Sequence, residues 1–126
     1  MHTSGFRTWA AYRKAFVQAR SVYRISANFP RVEYSMIDQI RRSSRSVCAN
    51  LAEVYGVRSY PRHYRSKLSI AIAENYETQV WLDFAFDTKY IDKNQYRELC
   101  QLSEEVGKLL TYMLNNPARF ANWKVL

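Results

Sequence analysis

Apolar positions in this chain recur three and four residues apart over long stretches, and nowhere do they alternate as a strand requires. The pattern predicts long amphipathic helices and no sheet. It is sharpest around residues 39–53, QIRRSSRSVCANLAE. There Ile37, Ile40, Ser44, Val47, Leu51 and Val54 step 3-4-3-4-3, an apolar seam with one small member. Gln39, Arg42, Ser46, Asn50 and Glu53 form a neighbouring polar stripe.

With this one, four such elements span the chain. Residues 6–28 read as a helix with Trp9, Tyr12, Phe16, Ala19, Tyr23 and Ser26 on one stripe, ended by Asn28-Phe29-Pro30. Phe29 is placed to plug the end of a bundle. The second helix, about 33–55, carries an S-x-x-D spacing at Ser35 and Asp38 that suits an N-cap, and Gly56 is its stop. Pro61 suits the first turn of a third helix, about 61–88, with Tyr64, Leu68, Ala71, Asn75, Thr78, Leu82 and Ala85 facing inward. Asp92 is the expected cap of a fourth, about 92–115, whose seam is Leu99, Leu102, Val106, Leu109 and Met113. The tail, 116–126, keeps Phe120, Trp123 and Leu126 and is expected to pack. With 126 residues, the natural reading is a single domain, 1–126: an all-α, antiparallel up-down-up-down four-helix bundle.

Composition supports few, long elements, because only three Gly and three Pro supply turn chemistry. No apolar run spans a bilayer and the N-terminus has no apolar signal core, so a cytoplasmic protein without membrane association is expected. Cys48 and Cys100 are expected to be free and reduced. Ten Tyr, six Phe and three Trp exceed what one small bundle needs to bury. The third helix is apolar well beyond one stripe, with Ile70, Ile72, Tyr76, Val80, Trp81, Phe84 and Phe86 spread around it. A surplus of this kind predicts a homo-oligomer.

Catalytic chemistry finds little purchase. His2 and His63 stand alone, no zinc-ligand spacing exists, and three scattered glycines make no phosphate loop. Glu53, Glu74 and Glu77 lack the Glu-x-x-His pairs of a two-metal bundle site and read instead as partners for arginines such as Arg42 and Arg58. Gln39, Arg42, Ser46, Asn50, Glu53, Glu74 and Glu77 are therefore expected to form a structural polar network, with Asn50 fixing register. A non-enzymatic protein with no cofactor and no metal follows.

Charge gives the more productive lead. The net charge is +8, and residues 1–72 hold 13 Lys/Arg against 3 Asp/Glu, whereas residues 73–126 hold 6 against 8. Two explanations stand side by side: a basic half packing against an acidic half, or a surface for an anionic partner. For the second, the candidate nucleic-acid contacts are Arg7, Arg13, Lys14, Arg20 and Arg24 on the first helix and Arg58, Arg62 and Arg65 near the start of the third. Arg41, Arg45 and Lys67 add to the same basic half. Tyr12, Tyr23, Tyr60 and Tyr64 interleave with these cations and offer stacking.

The order of motifs, FPRVEYSMIDQIRRSSRSVCANLAE and then GVRSYPRHYRSKLSIAIAENYETQVWLDFA, resembles the small bacterial four helix bundle proteins. That family is related to proteins encoded within intervening sequences of 23S rRNA genes and includes accessory variability proteins of diversity-generating retroelements. The matching positions are Phe29, Pro30, Glu33, Gln39, Arg42, Ser46, Asn50, Glu53, Arg58, Tyr60, Pro61, Lys67, Glu74, Glu77, Thr78, Trp81, Leu82 and Tyr90. Val54 departs from the Gly or Ala that many members carry, which bears on the geometry of 54–57. The resemblance implies an antiparallel four-helix bundle assembled as a homopentameric barrel, and it does not imply an enzyme. Retroelement accessory members bind nucleic acid and a reverse transcriptase through basic outer surfaces. For this chain the expected role is therefore binding of structured RNA or RNA/DNA through its arginines, with an interaction scaffold, such as an accessory subunit for a reverse transcriptase, as the alternative.

Overall fold

Four long helices, with no strand among the described residues, make up the computed structural model, which describes residues 4–123. They are α1 (Ala10–Ser26), α2 (Tyr34–Gly56), α3 (Pro61–Asp87) and α4 (Lys93–Asn115). Each helix packs on the next in sequence and α1 also packs on α4, so the four enclose one interior, as expected of a four-helix bundle. The pairing of α2 with α3 is the most extensive. No helix among the described residues is long and apolar enough to cross a membrane.

The α3 stripe expected from periodicity is the buried stripe, member for member. The α2 seam is also buried, apart from Ile37, which is half-buried. The α1 stripe is not. Of its members only Ser26 is buried among the described residues; the other core residues, Ala11, Ala15, Gln18 and Val22, sit one position before Tyr12, Phe16, Ala19 and Tyr23. Small side chains let α1 approach its neighbours at the 8–10 Å typical of packed helices, and a line of aromatic rings would hold it off. The rings of Tyr12, Phe16 and Tyr23 lie to the side instead, against α2. In α4, Ser103 and Leu110 take the core positions expected for Leu102 and Leu109, which are half-buried. Ser103 is drawn inward by hydrogen bonds described below.

Helix ends differ from expectation in three places. The first helix is interrupted: a 3-10 turn at Gly5–Thr8 gives way to extended backbone at Trp9 before α1 begins. Gly5 turns at φ +62° against the Tyr55 ring, and the Trp9 ring meets Tyr55 and Phe120 edge-on at 5.6 and 6.0 Å. Docking these rings outweighs one more helical turn. Second, the Ser35–Asp38 cap is not made, because a 3-10 turn at Arg31–Glu33 runs directly into α2. Third, Gly56 is the last residue of α2 rather than a left-handed stop. Val54 is fully buried within the helix, and the Arg58 guanidinium donates to the Tyr55 carbonyl at 2.7 Å, satisfying an end that glycine would otherwise turn.

Other ends follow the sequence. Pro61 sits in the first turn of α3. Asp92 Oδ1 accepts from the Gln95 amide at 2.8 Å while Gln95 Oε1 accepts from the Asp92 amide at 2.9 Å, a reciprocal capping box. Phe29 is buried against Tyr90, with ring centroids 5.6 Å apart. The tail makes a 3-10 turn at Pro117–Arg119 and lays Trp123 edge-on to the buried Tyr64 ring at 5.1 Å. Leu126, also expected to pack, lies outside the described residues.

Candidate nucleic-acid interface

The polar stripe on α2 divides into three local arrangements rather than one network. Arg42 is half-exposed and reaches across to α3, with Nη1 2.9 Å from Glu74 and Nη2 bonded to Glu77, while its Nε donates weakly to Gln39 at 3.4 Å. Desolvation works against the Arg42 charge, but the two carboxylates outweigh it and raise the guanidinium pKa. Glu53 pairs with Lys67 at 3.0 Å. Asn50 is buried yet bonds only within its own helix, donating to the carbonyl and hydroxyl of Ser46 at 2.9 and 3.1 Å. The expectation that Asn50 and Glu53 join Arg42 in a cross-helix network is therefore corrected. Asn50 lies eight residues past Arg42 on α2, just over two turns or about 12 Å along the axis, beyond reach of Glu74 and Glu77.

The buried network lies elsewhere. Gln18 on α1 donates to Asn75 Oδ1 on α3 at 3.1 Å, and Asn75 Nδ2 donates to the Ser103 carbonyl on α4 at 2.9 Å. The Ser103 hydroxyl donates back to Asn75 Oδ1 at 3.1 Å and accepts from Gln79 at 3.1 Å. A second buried link places the Ser43 and Thr78 hydroxyls 2.8 Å apart between α2 and α3. Gln18 and Ser103 were missed because polar residues at core positions of a helix look, in sequence, like members of its outer face. Only their register with Ala15, Val22, Leu99 and Val106 marks them as inward.

The basic residues separate by what they touch. Lys14 meets Glu105 at 2.6 Å, and that ammonium holds the Glu105 carboxyl below its usual range. Apart from Lys14, Arg42 and Lys67, no Lys or Arg among the described residues has a carboxylate within ion-pair distance. Arg13 donates to the Arg7 carbonyl at 3.0 Å, and Arg7 lies over the Phe6 ring at 4.4 Å. Arg58 is committed to Tyr55, over the ring at 3.7 Å as well as on its carbonyl. Arg62 is exposed, and Arg65 extends over Trp123 at 5.6 Å. Arg20 and Arg24 are exposed on α1. The eight sequence candidates thus fall in distinct places: Arg20 and Arg24 along α1, Arg62 and Arg65 at the start of α3, and Arg7, Arg13, Lys14 and Arg58 in contacts of their own.

Between α1 and α2 runs a groove of about 310 Å³ lined by Tyr12, Phe16, Ala19, Arg20, Tyr23, Arg45 and Cys48. Its rings come from the displaced α1 stripe. Arg41 and Arg45, one turn apart on α2, stand 4.3 and 5.4 Å from the Tyr23 ring centroid, and Arg20 stands 5.8 Å from that of Phe16. Arg41 is fixed there by donating to Ser26 Oγ at 2.8 Å and to the Tyr23 carbonyl at 3.2 Å. Burial pushes the Cys48 thiol up to about 12, which leaves it protonated and unreactive near neutral pH. Cys100 is likewise free, its pKa raised by burial. No three His, Cys, Asp or Glu side chains among the described residues are grouped so as to share a metal ion.

Comparison with known proteins adds to this geometry. A family model described as 23S rRNA-intervening sequence protein matches residues 7–112. A crystal structure from Bacteroides thetaiotaomicron VPI-5482, described as a protein with unknown function from the S23 ribosomal protein family, superposes with a TM-score of 0.76 at 29% sequence identity. The match covers 83% of this chain and 95% of that one. No curated protein matches the chain.

Proposed function

Since the chain belongs to the 23S rRNA-intervening sequence protein family, we propose that it is a non-enzymatic, self-associating antiparallel bundle that binds structured nucleic acid, RNA foremost, through its arginine-rich face. The observation that carries this reading is the lack of internal compensation. Among the described residues, Lys14 and Arg42 are the only cations of residues 1–72 that reach carboxylates of the acidic second half. Packing of a basic half against an acidic half therefore accounts for few of the charges. The remainder form a field suited to phosphates. The family's name favours RNA over DNA.

An up-down-up-down course is supported by paired positions. Arg42 and Glu53 on α2 meet Glu77 and Lys67 on α3, so one helix rises as the other falls. Asn75 and Tyr64 on α3 meet Ser103 and Met113 on α4 in the same opposed sense. Self-association is supported by a second apolar stripe on α3. Ile70, Val80 and Phe84 are all exposed there, Phe84 at 53%. A closed ring covers such a stripe, and five subunits is the number that the family resemblance implies.

The test is a fluorescence-anisotropy titration of a labelled stem-loop RNA at low salt, with light scattering on the same sample. Wild type is expected to bind with micromolar affinity or better as an oligomer. The double variants Arg20→Glu/Arg24→Glu and Arg62→Glu/Arg65→Glu are each expected to weaken binding by at least tenfold. Wild-type affinity in both variants removes the proposal. A second reading, an interaction scaffold such as an accessory subunit for a reverse transcriptase, draws on the same α3 stripe. It takes precedence if the protein scatters as a monomer with no RNA affinity.

A further inference from the structure

We infer that the groove between α1 and α2 is a stacking site for an unpaired base of single-stranded RNA, with Arg20 and Arg45 on the phosphates to either side. This rests on the proposed nucleic-acid reading and narrows it to a place and to a kind of RNA.

The groove exists because of one residue. Tyr12, Phe16, Ala19 and Tyr23 occupy a single stripe of α1, and a methyl group at Ala19 stands where its neighbours carry rings. Phe16 and Tyr23 are two turns apart, about 10.5 Å along the axis, and bracket a slot floored by Ala19 and Cys48. Nothing acidic lines it. Tyr23 is 48% exposed, with the Arg41 and Arg45 guanidiniums 4.3 and 5.4 Å from its ring centroid, so the ring and its cations reach solvent together.

Charge complementarity selects the occupant. Arg20 and Arg45, at the two rims, have no hydrogen bond and no carboxylate among the described residues. Arg41 is already bonded to Ser26 and Tyr23 and serves to hold the Tyr23 ring in place. Arg24 continues the α1 rim one turn beyond Arg20. A ligand that fits must be planar and aromatic where the rings lie and anionic at both edges. A nucleotide within a strand has that shape of charge. A base inside a duplex does not, because its faces are already covered by its neighbours. An acidic peptide would satisfy the arginines and leave the rings unused.

Anisotropy with labelled oligouridylate, beside a blunt RNA duplex of equal length, reads the two contributions separately. Phe16→Leu and Tyr23→Leu keep apolar volume and remove a stacking face. Each is expected to weaken oligouridylate binding by roughly 5- to 100-fold with the salt slope unchanged, and to leave duplex binding unaltered. Arg20→Gln and Arg45→Gln are each expected to reduce the salt slope by about 0.7. Wild-type oligouridylate affinity in both leucine variants overturns the base site, and if the Arg20 and Arg24 charge reversals still weaken stem-loop binding, the broader reading survives it. Equal wild-type affinity for polyglutamate and oligouridylate also overturns it. Where a leucine variant fails to fold, 5-iodouridine photocrosslinking to the wild-type protein decides. Adducts on Phe16 or Tyr23 support the site, and adducts confined to other residues overturn it.

Discussion

Asn75 of α3 donates its Nδ2 proton to the Ser103 carbonyl of α4 at 2.9 Å, in the middle of the bundle and 2% exposed. Its Oδ1 accepts from Gln18 of α1 and from the Ser103 hydroxyl. One side chain thus ties three helices together. Replacing it by leucine leaves the Gln18 amide and the Ser103 hydroxyl without their acceptor in a buried interior, where each unmet group costs about 1–3 kcal/mol. Asn75→Leu is expected to lose about 2 kcal/mol or more in urea unfolding followed by circular dichroism, measured at the same protein concentration as wild type.

Asn50 is the informative contrast. It is the same residue type, also buried, and its donors go only to Ser46 on its own helix. Asn50→Leu is expected to cost less than about 1 kcal/mol in the same measurement, since no other helix loses a partner. A loss as large as that of Asn75→Leu would show that Asn50 has a cross-helix role after all.

Gly107 on α4 leaves room for this junction. A Cβ there would stand 3.3 Å from Asn75 Nδ2. Alanine in a helix interior normally gains about 1 kcal/mol over glycine. Asn75 is pinned by three hydrogen bonds and cannot give way cheaply, so Gly107→Ala is expected to forfeit that gain and leave the unfolding midpoint unchanged or lower. A clear increase in stability would mean that the junction is looser than its hydrogen bonds indicate.

Tyr64 gives the fold a pH dependence. Its hydroxyl donates to the Met113 carbonyl at 2.8 Å, the ring is fully buried, and burial raises its pKa from 10.0 to about 12, with Arg65 working weakly in the opposite sense. A folded pKa above the unfolded one favours the folded state while the phenol is protonated. This contribution is whole below pH 10 and is lost as pH rises towards 12. Tyr64→Phe is expected to cost about 1 kcal/mol at pH 7 through the lost hydrogen bond and to flatten the stability profile between pH 10 and 12. An unchanged profile would assign the alkaline loss to other groups.

How much of this was legible in the sequence depends on the residue. The α3 stripe and the Asp92 cap were readable because periodicity and a local spacing specify them completely. The α1 face was not. Hydrophobicity favours Trp9, Tyr12, Phe16 and Tyr23, but packing distance favours Ala11 and Ala15, and distance wins between close helices. The same displacement moved the rings beside Arg41 and Arg45, so the groove could not be read from either helix alone. Charge alone marks Arg20 and Arg24 as candidates. That Lys14 has an internal partner depends on Glu105, which only the fold brings near, whereas Arg58 turns back on the Tyr55 carbonyl three residues before it at the end of α2. The polar stripe of α2 was visible as a pattern, but spacing could not tell an intrahelical bond at Asn50 from a bridge at Arg42.

The most direct measurement is the salt dependence of stem-loop RNA binding by the wild-type protein. Each phosphate engaged adds about −0.7 to −0.9 to the slope of log Kobs against log salt. With no carboxylate within ion-pair distance of Arg20, Arg24, Arg45, Arg62 or Arg65 among the described residues, a slope of about −4 or steeper is predicted. A slope near zero, or no binding at low salt, would contradict the claim that this surface is built for nucleic acid.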